Sequence, residues 1–182
     1  MATAIDVLSF IHQRYTTTGL MQRQKLLYYS QAWHSVWFGR ALFSDPILAW
    51  KMGPVTPTAW KQDKEWRTTP DTDVRLTATE IATIEAVFDY YGKFNGTQLS
   101  QMTHDETPWK DSYLDVSPLM RGEVEILPRQ LRTFYSVRSI EGQAGPVKPA
   151  LPAEGISDAE LDPVIDFELD RWSDLLDILA DR

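Results

Sequence analysis

The chain has 182 residues, 43% apolar and 12% aromatic, enough to bury one sizeable core and carry a short extension. It contains no cysteine, which excludes disulfides and thiolate zinc sites, and no apolar run reaches the ~20 residues of a membrane-spanning helix. The net charge of −8 is concentrated in residues 156–182, where nine acids face two arginines for a net −7, leaving −1 for residues 1–155 and no basic stripe that would track a phosphate backbone.

Residues Met1 to Asp6 lack the charged, apolar and cleavage regions of a signal peptide, so a cytoplasmic chain is expected. Thr3 and Asp6 form a capping-box pattern, and Ile5, Leu8, Ile11 and Tyr15 continue it as one apolar stripe, predicting a helix over 4–15. From Leu20 to Phe38, Leu26, Tyr29, Trp33, Val36 and Trp37 recur at helical steps. Leu27, Tyr28, Ala32 and Phe38 cover much of the remaining circumference. No wholly polar face survives, which predicts a central helix enclosed by others, with Thr18 as its N-cap and Gly39 at its end with positive φ.

Leu42, Phe43 and Ile47 to Trp50 flank Ser44-Asp45-Pro46, whose turn chemistry predicts a small β-hairpin or extended loop near residues 43–50, broken off at Gly53-Pro54. Thr56 with Pro57 opens a helix running to about Arg67, and Thr68 to Arg75 reads as a polar connection. Thr77 and Glu80 form a second capping box before Ile81, Ile84, Val87, Phe88 and Tyr91, closed by Gly92. A short helix over 97–104 precedes a proline-broken segment at 105–109. Residues 112–126 read as a loop, and Pro128 opens a last core helix carrying Leu131, Phe134, Tyr135 and Val137. Gly145, Pro146, Pro149, Pro152 and Gly155 mark a linker over 142–155. Residues 156–182 then read as an acidic amphipathic helix whose Ile165, Leu169, Trp172, Leu176 and Leu179 form a heptad-like seam beside Asp166, Asp170 and Asp174. Such a seam docks on its own domain or engages a partner with a basic surface.

The fold class expected is therefore mainly α: a compact helical domain around a buried central helix, with a small hairpin and a C-terminal acidic helix. The candidate chemistry is sparse. His104, Asp105 and Glu106, with His34, could hold a divalent metal, and a metal-dependent hydrolase using His104 and Glu106 is one reading; the other is that His104 caps a helix or packs under Trp109, with Glu106 accepting a backbone N–H. No Gly-x-Ser-x-Gly elbow and no glycine-rich phosphate loop occur. Lys25 and Lys51 lie in apolar surroundings, and a salt bridge of Lys25 with Glu106 is the reading preferred over a catalytic amine.

Four blocks, Gln24-Lys-Leu-Leu-Tyr-Tyr-Ser-Gln-Ala-Trp33, Gly39-Arg-Ala-Leu-Phe43, Ala49-Trp-Lys-Met-Gly-Pro-Val55 and Leu99 to Trp109, resemble in sequence and order the Panacea domain, the SocA-like or GepA-like phage-associated family. The resemblance spans about residues 5–135 and suggests a domain over 1–141. It implies an antitoxin of a bacterial or phage toxin–antitoxin system, non-enzymatic and without cofactor or metal, that neutralises a cognate toxin by direct protein binding. Family members are paired with very different toxins, including relatives of alarmone synthetases that modify tRNA, Fic-like enzymes and small membrane-active proteins, so the domain does not name its partner. The matching positions are Lys25, Leu26, Tyr28, Trp33, Trp50, Lys51, Gly53, Pro54, Val55, His104, Glu106, Pro108 and Trp109, expected to build the fold and one shared pocket. Met52 stands where the family often has tyrosine. A proteolytic adaptor is the alternative role, self-association into a homo-oligomer is compatible with either, and neither nucleic acid nor membrane is expected as a direct partner.

Overall fold

The computed structural model describes residues 2–17, 19–66, 76–114, 117–120 and 122–150. The acidic helix expected over 156–182, with Ile165, Asp166, Leu169, Asp170, Trp172, Asp174, Leu176 and Leu179, lies outside them, as do Thr18 and the connection at 68–75. The described residues form α1 (Ala4–Arg14), α2 (Leu20–Phe38), α3 (Pro57–Glu65), α4 (Ala78–Tyr91), α5 (Gly96–His104), α6 (Thr107–Tyr113) and α7 (Pro128–Ile140), together with a two-stranded antiparallel ribbon packed on α2, α5 and α6. That ribbon pairs β1 (Leu48–Trp50) with β2 (Gly53–Val55). The fold is mainly α with one small hairpin, as expected.

α2 is the centre. Every residue from Gln22 to Ser35 is buried, and the helix packs against α1, α3, α4, α5, α7 and β2. A helix without a solvent face does best when its polar heads find partners, and α2 ties most of its own to one neighbour or another. The Gln22 amide donates to the carbonyls of Gly92 and Phe94. Arg23 forks onto Asp63 of α3 through Nε and Nη2 at 2.8–3.1 Å. Gln31 Oε1 accepts from the amides of Leu42 and Phe43, while its nitrogen donates to the Phe43 carbonyl, fixing the extended segment after α2. α2 starts after Gly19, with no side-chain cap, and ends at Gly39 with φ of +67°.

The capping boxes at Thr3–Asp6 and Thr77–Glu80 are both formed. Four local features differ from the sequence reading. The hairpin turns at Lys51-Met52 rather than at Ser44-Asp45-Pro46, so Gly53-Pro54 forms a strand instead of ending one; Gly53 takes φ of +95°, which glycine tolerates. Residues 107–113 are helical because Pro108 falls in the first turn of α6, where a missing N–H leaves no bond unmade. Val137 is 48% exposed, whereas Leu131 and Tyr135 of the same helix enter the core. α3 stops at Glu65, two residues short of expectation.

The described start of the segment read as a linker is not free of the domain. Pro146 is buried, Gly145 lies so close to Trp33 that a Cβ there would come within 2.8 Å of its ring, and the Lys148 ammonium sits 5.5 Å from the Phe38 ring centre.

Candidate functional site

Ten of the positions singled out by the resemblance, Lys25, Tyr28, Trp33, Trp50, Lys51, Gly53, Pro54, His104, Glu106 and Trp109, come from α2, the hairpin and the α5–α6 junction. The structure divides most of them between two neighbouring arrangements.

The first holds the hairpin. Three-residue strands cannot stabilise themselves, and the side chains around them supply what the ladder lacks. Lys25 Nζ donates to the Pro54 carbonyl at 2.9 Å, Gln24 Oε1 accepts from the Thr56 amide at 3.2 Å, Ser100 Oγ donates to the Met52 carbonyl at 2.8 Å, and Trp109 Nε1 donates to the Trp50 carbonyl at 2.9 Å. His104 stacks on Trp109 with ring centres 4.1 Å apart, as the packing reading expected, and Trp109 stacks in turn on Tyr113. Gly53 is required here: a Cβ would lie 2.6 Å from Thr103 Oγ1 and 2.8 Å from Lys25 Nζ.

The second arrangement surrounds Glu106. Its carboxyl accepts from the hydroxyls of Tyr135 at 2.6 Å, Tyr28 at 3.1 Å and Tyr29 at 3.3 Å, with Arg138 Nη1 3.9 Å away. Glu106 occupies the N-cap position of α6, yet its side chain caps nothing. The expected backbone N–H partner is thus replaced by three phenols. Burial pushes the carboxyl up to about 7, against the hydroxyls of Tyr135 and Tyr28, which hold it down. Burial, with the Glu106 charge beside them, holds Tyr28, Tyr29 and Tyr135 well above the usual phenol range. Trp33 lies at the edge of this group, donating from Nε1 to Tyr91 Oη at 3.3 Å.

The expected Lys25–Glu106 salt bridge is not formed. Lys25 extends toward β2 and Glu106 toward the tyrosines of α2 and α7, and among the described residues Lys25 has no carboxylate partner. A buried, unpaired ammonium costs desolvation energy, and burial lowers Lys25 to about 7. Nor do the histidines converge. His34 Nδ1 lies 2.9 Å from Thr83 Oγ1; because that hydroxyl donates to the Thr79 carbonyl, His34 Nδ1 carries the proton and Nε2 is left without a partner. Burial pushes His34 down to about 4, and burial followed by the nearby Lys25 charge lowers His104. Among the described residues no group of three His, Asp or Glu side chains is arranged to hold a metal.

Beside the hairpin a cleft of about 190 Å³ opens between the start of α2 and the ribbon, walled by Trp50, Met52, Val55 and Trp60 and bordered by Gln24, Lys25 and Lys51. Sequence reasoning placed Lys25, Trp50 and Lys51 but missed Gln24, Trp60, Tyr29 and Ser100. The available signal was the run Gln22-Arg23-Gln24-Lys25 inside an enclosed helix, since polar heads that cannot reach water must be tying something down.

The family comparison gives one match, to "Antitoxin SocA-like, Panacea domain" over residues 24–110. No curated protein and no solved structure matches the chain. The matched span opens at Gln24 on α2 and ends within α6. It contains the hairpin, its four anchoring side chains, the walls and border of the cleft described above, and Glu106 with Tyr28 and Tyr29, and it leaves out α1 and α7. Residues 24–110, a little under half of the chain, are thus similar to the SocA-like Panacea domain of antitoxins.

Proposed function

We propose that this chain is the antitoxin of a toxin–antitoxin pair and neutralises its cognate toxin by direct, stoichiometric protein binding, with no turnover of its own. The observation that carries the reading is the family match, together with how its shared polar residues are spent: Glu106 is committed to three tyrosines, His104 to Trp109, and Lys25 to the hairpin. That arrangement supports a scaffold more than a reaction centre, because the groups with unusual proton affinity are buried among structural partners.

In this proposal residues 1–141 are the scaffold, 142–155 a linker, and 156–182 an acidic helix. The seam at Ile165, Leu169, Trp172, Leu176 and Leu179 and the acids Asp166, Asp170 and Asp174 cover a basic surface of a cytoplasmic toxin; the net −7 of the tail supports a basic partner. Co-expression with the product of the neighbouring reading frame, followed by co-purification and a growth assay, tests it. A stable complex and rescued growth are expected. Rescue by a folded chain ending at Pro149 as complete as by the full chain would remove the tail from the mechanism. Rescue lost in a protease-deficient host would favour the adaptor reading, and small-substrate turnover abolished by His104→Ala or Glu106→Gln would overturn the proposal altogether.

A further inference from the structure

The cleft beside the hairpin keeps hydrogen-bonding capacity that anchoring the ribbon does not exhaust. Its walls are apolar and aromatic, with Trp50 and Trp60 meeting edge to face at 5.8 Å between ring centres and Met52 half exposed at the rim. Its border carries donors in excess. The amide nitrogen of Gln24, a side chain 1% exposed, has no partner among the described residues. The Lys25 ammonium, also 1% exposed, has three N–H groups and among the described residues makes one hydrogen bond, to Pro54. Lys51 adds a second cation at the surface, and among the described residues no acid lines the cleft.

These features select a class of occupant by chemistry. A cation is repelled by two lysines. A neutral hydrocarbon fits the tryptophans but leaves the Gln24 amide and the Lys25 ammonium as bare as before. A phosphate dianion suits the lysines but faces indole and thioether walls that return none of its hydration. A monoanion with an apolar body satisfies both halves. We propose that the cleft between α2 and the hairpin binds a small apolar monocarboxylate, its ring or chain against the wall formed by Trp50 and Trp60 and its carboxylate toward Gln24, Lys25 and Lys51. The unpaired burial that lowers Lys25 is what an arriving carboxylate relieves. The inference does not depend on the antitoxin reading, because it concerns this chain alone.

The test uses the full chain and three probes, hydrocinnamate, the uncharged hydrocinnamamide and acetate, followed through the indole N–H signals of Trp50 and Trp60 and the Lys25 Cε carbon signal, which reports ammonium protonation. Hydrocinnamate is expected to move both indole signals to saturation, to bind about tenfold more tightly than the amide, and to shift Lys25 toward its protonated form. Acetate at the same concentration is expected to leave all three unchanged. Lys51→Gln should weaken the acid and spare the amide, and Lys25→Met should erase the difference between them. Equal binding of acid and amide, a Lys25 signal unmoved by saturating acid, or no change at either tryptophan would overturn the proposal, and the Lys25 signal decides the matter even where a variant fails to fold.

Discussion

Gly53→Ala tests the hairpin anchoring most directly. At φ of +95° an L-residue carries backbone strain of about 1–2 kcal/mol. The new methyl would also stand 2.8 Å from Lys25 Nζ, 2.9 Å from its Cε and 2.6 Å from Thr103 Oγ1, so Lys25 must retreat from the Pro54 carbonyl, and a charged hydrogen bond in a dry site is worth about 1.5–3 kcal/mol. The expected destabilisation is therefore about 3–5 kcal/mol, or roughly 10 °C in melting temperature for a domain of this size. Gly39→Ala is the control: its φ of +67° strains the backbone, but no heavy atom lies within 4 Å of the added methyl, so it should lose about 1–2 kcal/mol. Urea denaturation of both variants at neutral pH gives the comparison. If Gly53→Ala loses no more than Gly39→Ala, the close fit of lysine, threonine and glycine is not what holds β2, and the account of the hairpin fails.

Lys25, lowered by burial from 10.5 to about 7, releases a proton on folding between those values; stability should rise with pH through that window by up to about 1.4 kcal/mol per pH unit. Lys25→Met should flatten the rise in denaturation series run from about pH 7 to pH 9. Glu106 acts in the opposite sense: held up at about 7 against an ordinary 4.5, its contribution is full below 4.5 and is lost as pH rises through 7. Tyr135→Phe removes its shortest hydrogen bond, at 2.6 Å, and should cost about 1.5–3 kcal/mol above pH ~8, less below pH ~5, and move the Glu106 carboxyl titration further up in an NMR series. Gln31→Met keeps the volume but leaves two amides and a carbonyl at Leu42 and Phe43 unpaired; a loss of at least about 3 kcal/mol is expected by urea denaturation.

Where a rule is local, the sequence alone located the element. Thr3 with Asp6 and Thr77 with Glu80 place two helix starts because a capping box needs only four consecutive residues, and the all-round apolarity of 20–38 declares an enclosed helix because no orientation of it could face water. Legibility failed where a long-range partner decides. Ser44-Asp45-Pro46 has better turn chemistry than Lys51-Met52, yet the chain turns at the latter because Lys25, Ser100 and Trp109 wait there for its carbonyls. Glu106 and Lys25 look like a natural ion pair in one dimension. In three, three phenols and a proline carbonyl reach them first, and no spacing rule states which side of α2 each partner occupies. The cleft was foreseen only as one shared pocket without walls; Trp60 and Gln24 enter it through the way α3 and α2 sit on the ribbon.

The way the ribbon is fastened also separates what it is from what it displays. All four anchors grip main-chain atoms, the carbonyls of Trp50, Met52 and Pro54 and the amide of Thr56, while the side chains of Lys51 and Met52 point to solvent. The loop tip can therefore be rewritten at little cost to its foundation, much as lettering changes on a fixed signpost. A lineage needing a new recognition surface could vary positions 51 and 52, and with them the rim of the cleft, while glycine at 53 and the lysine beneath it stay put.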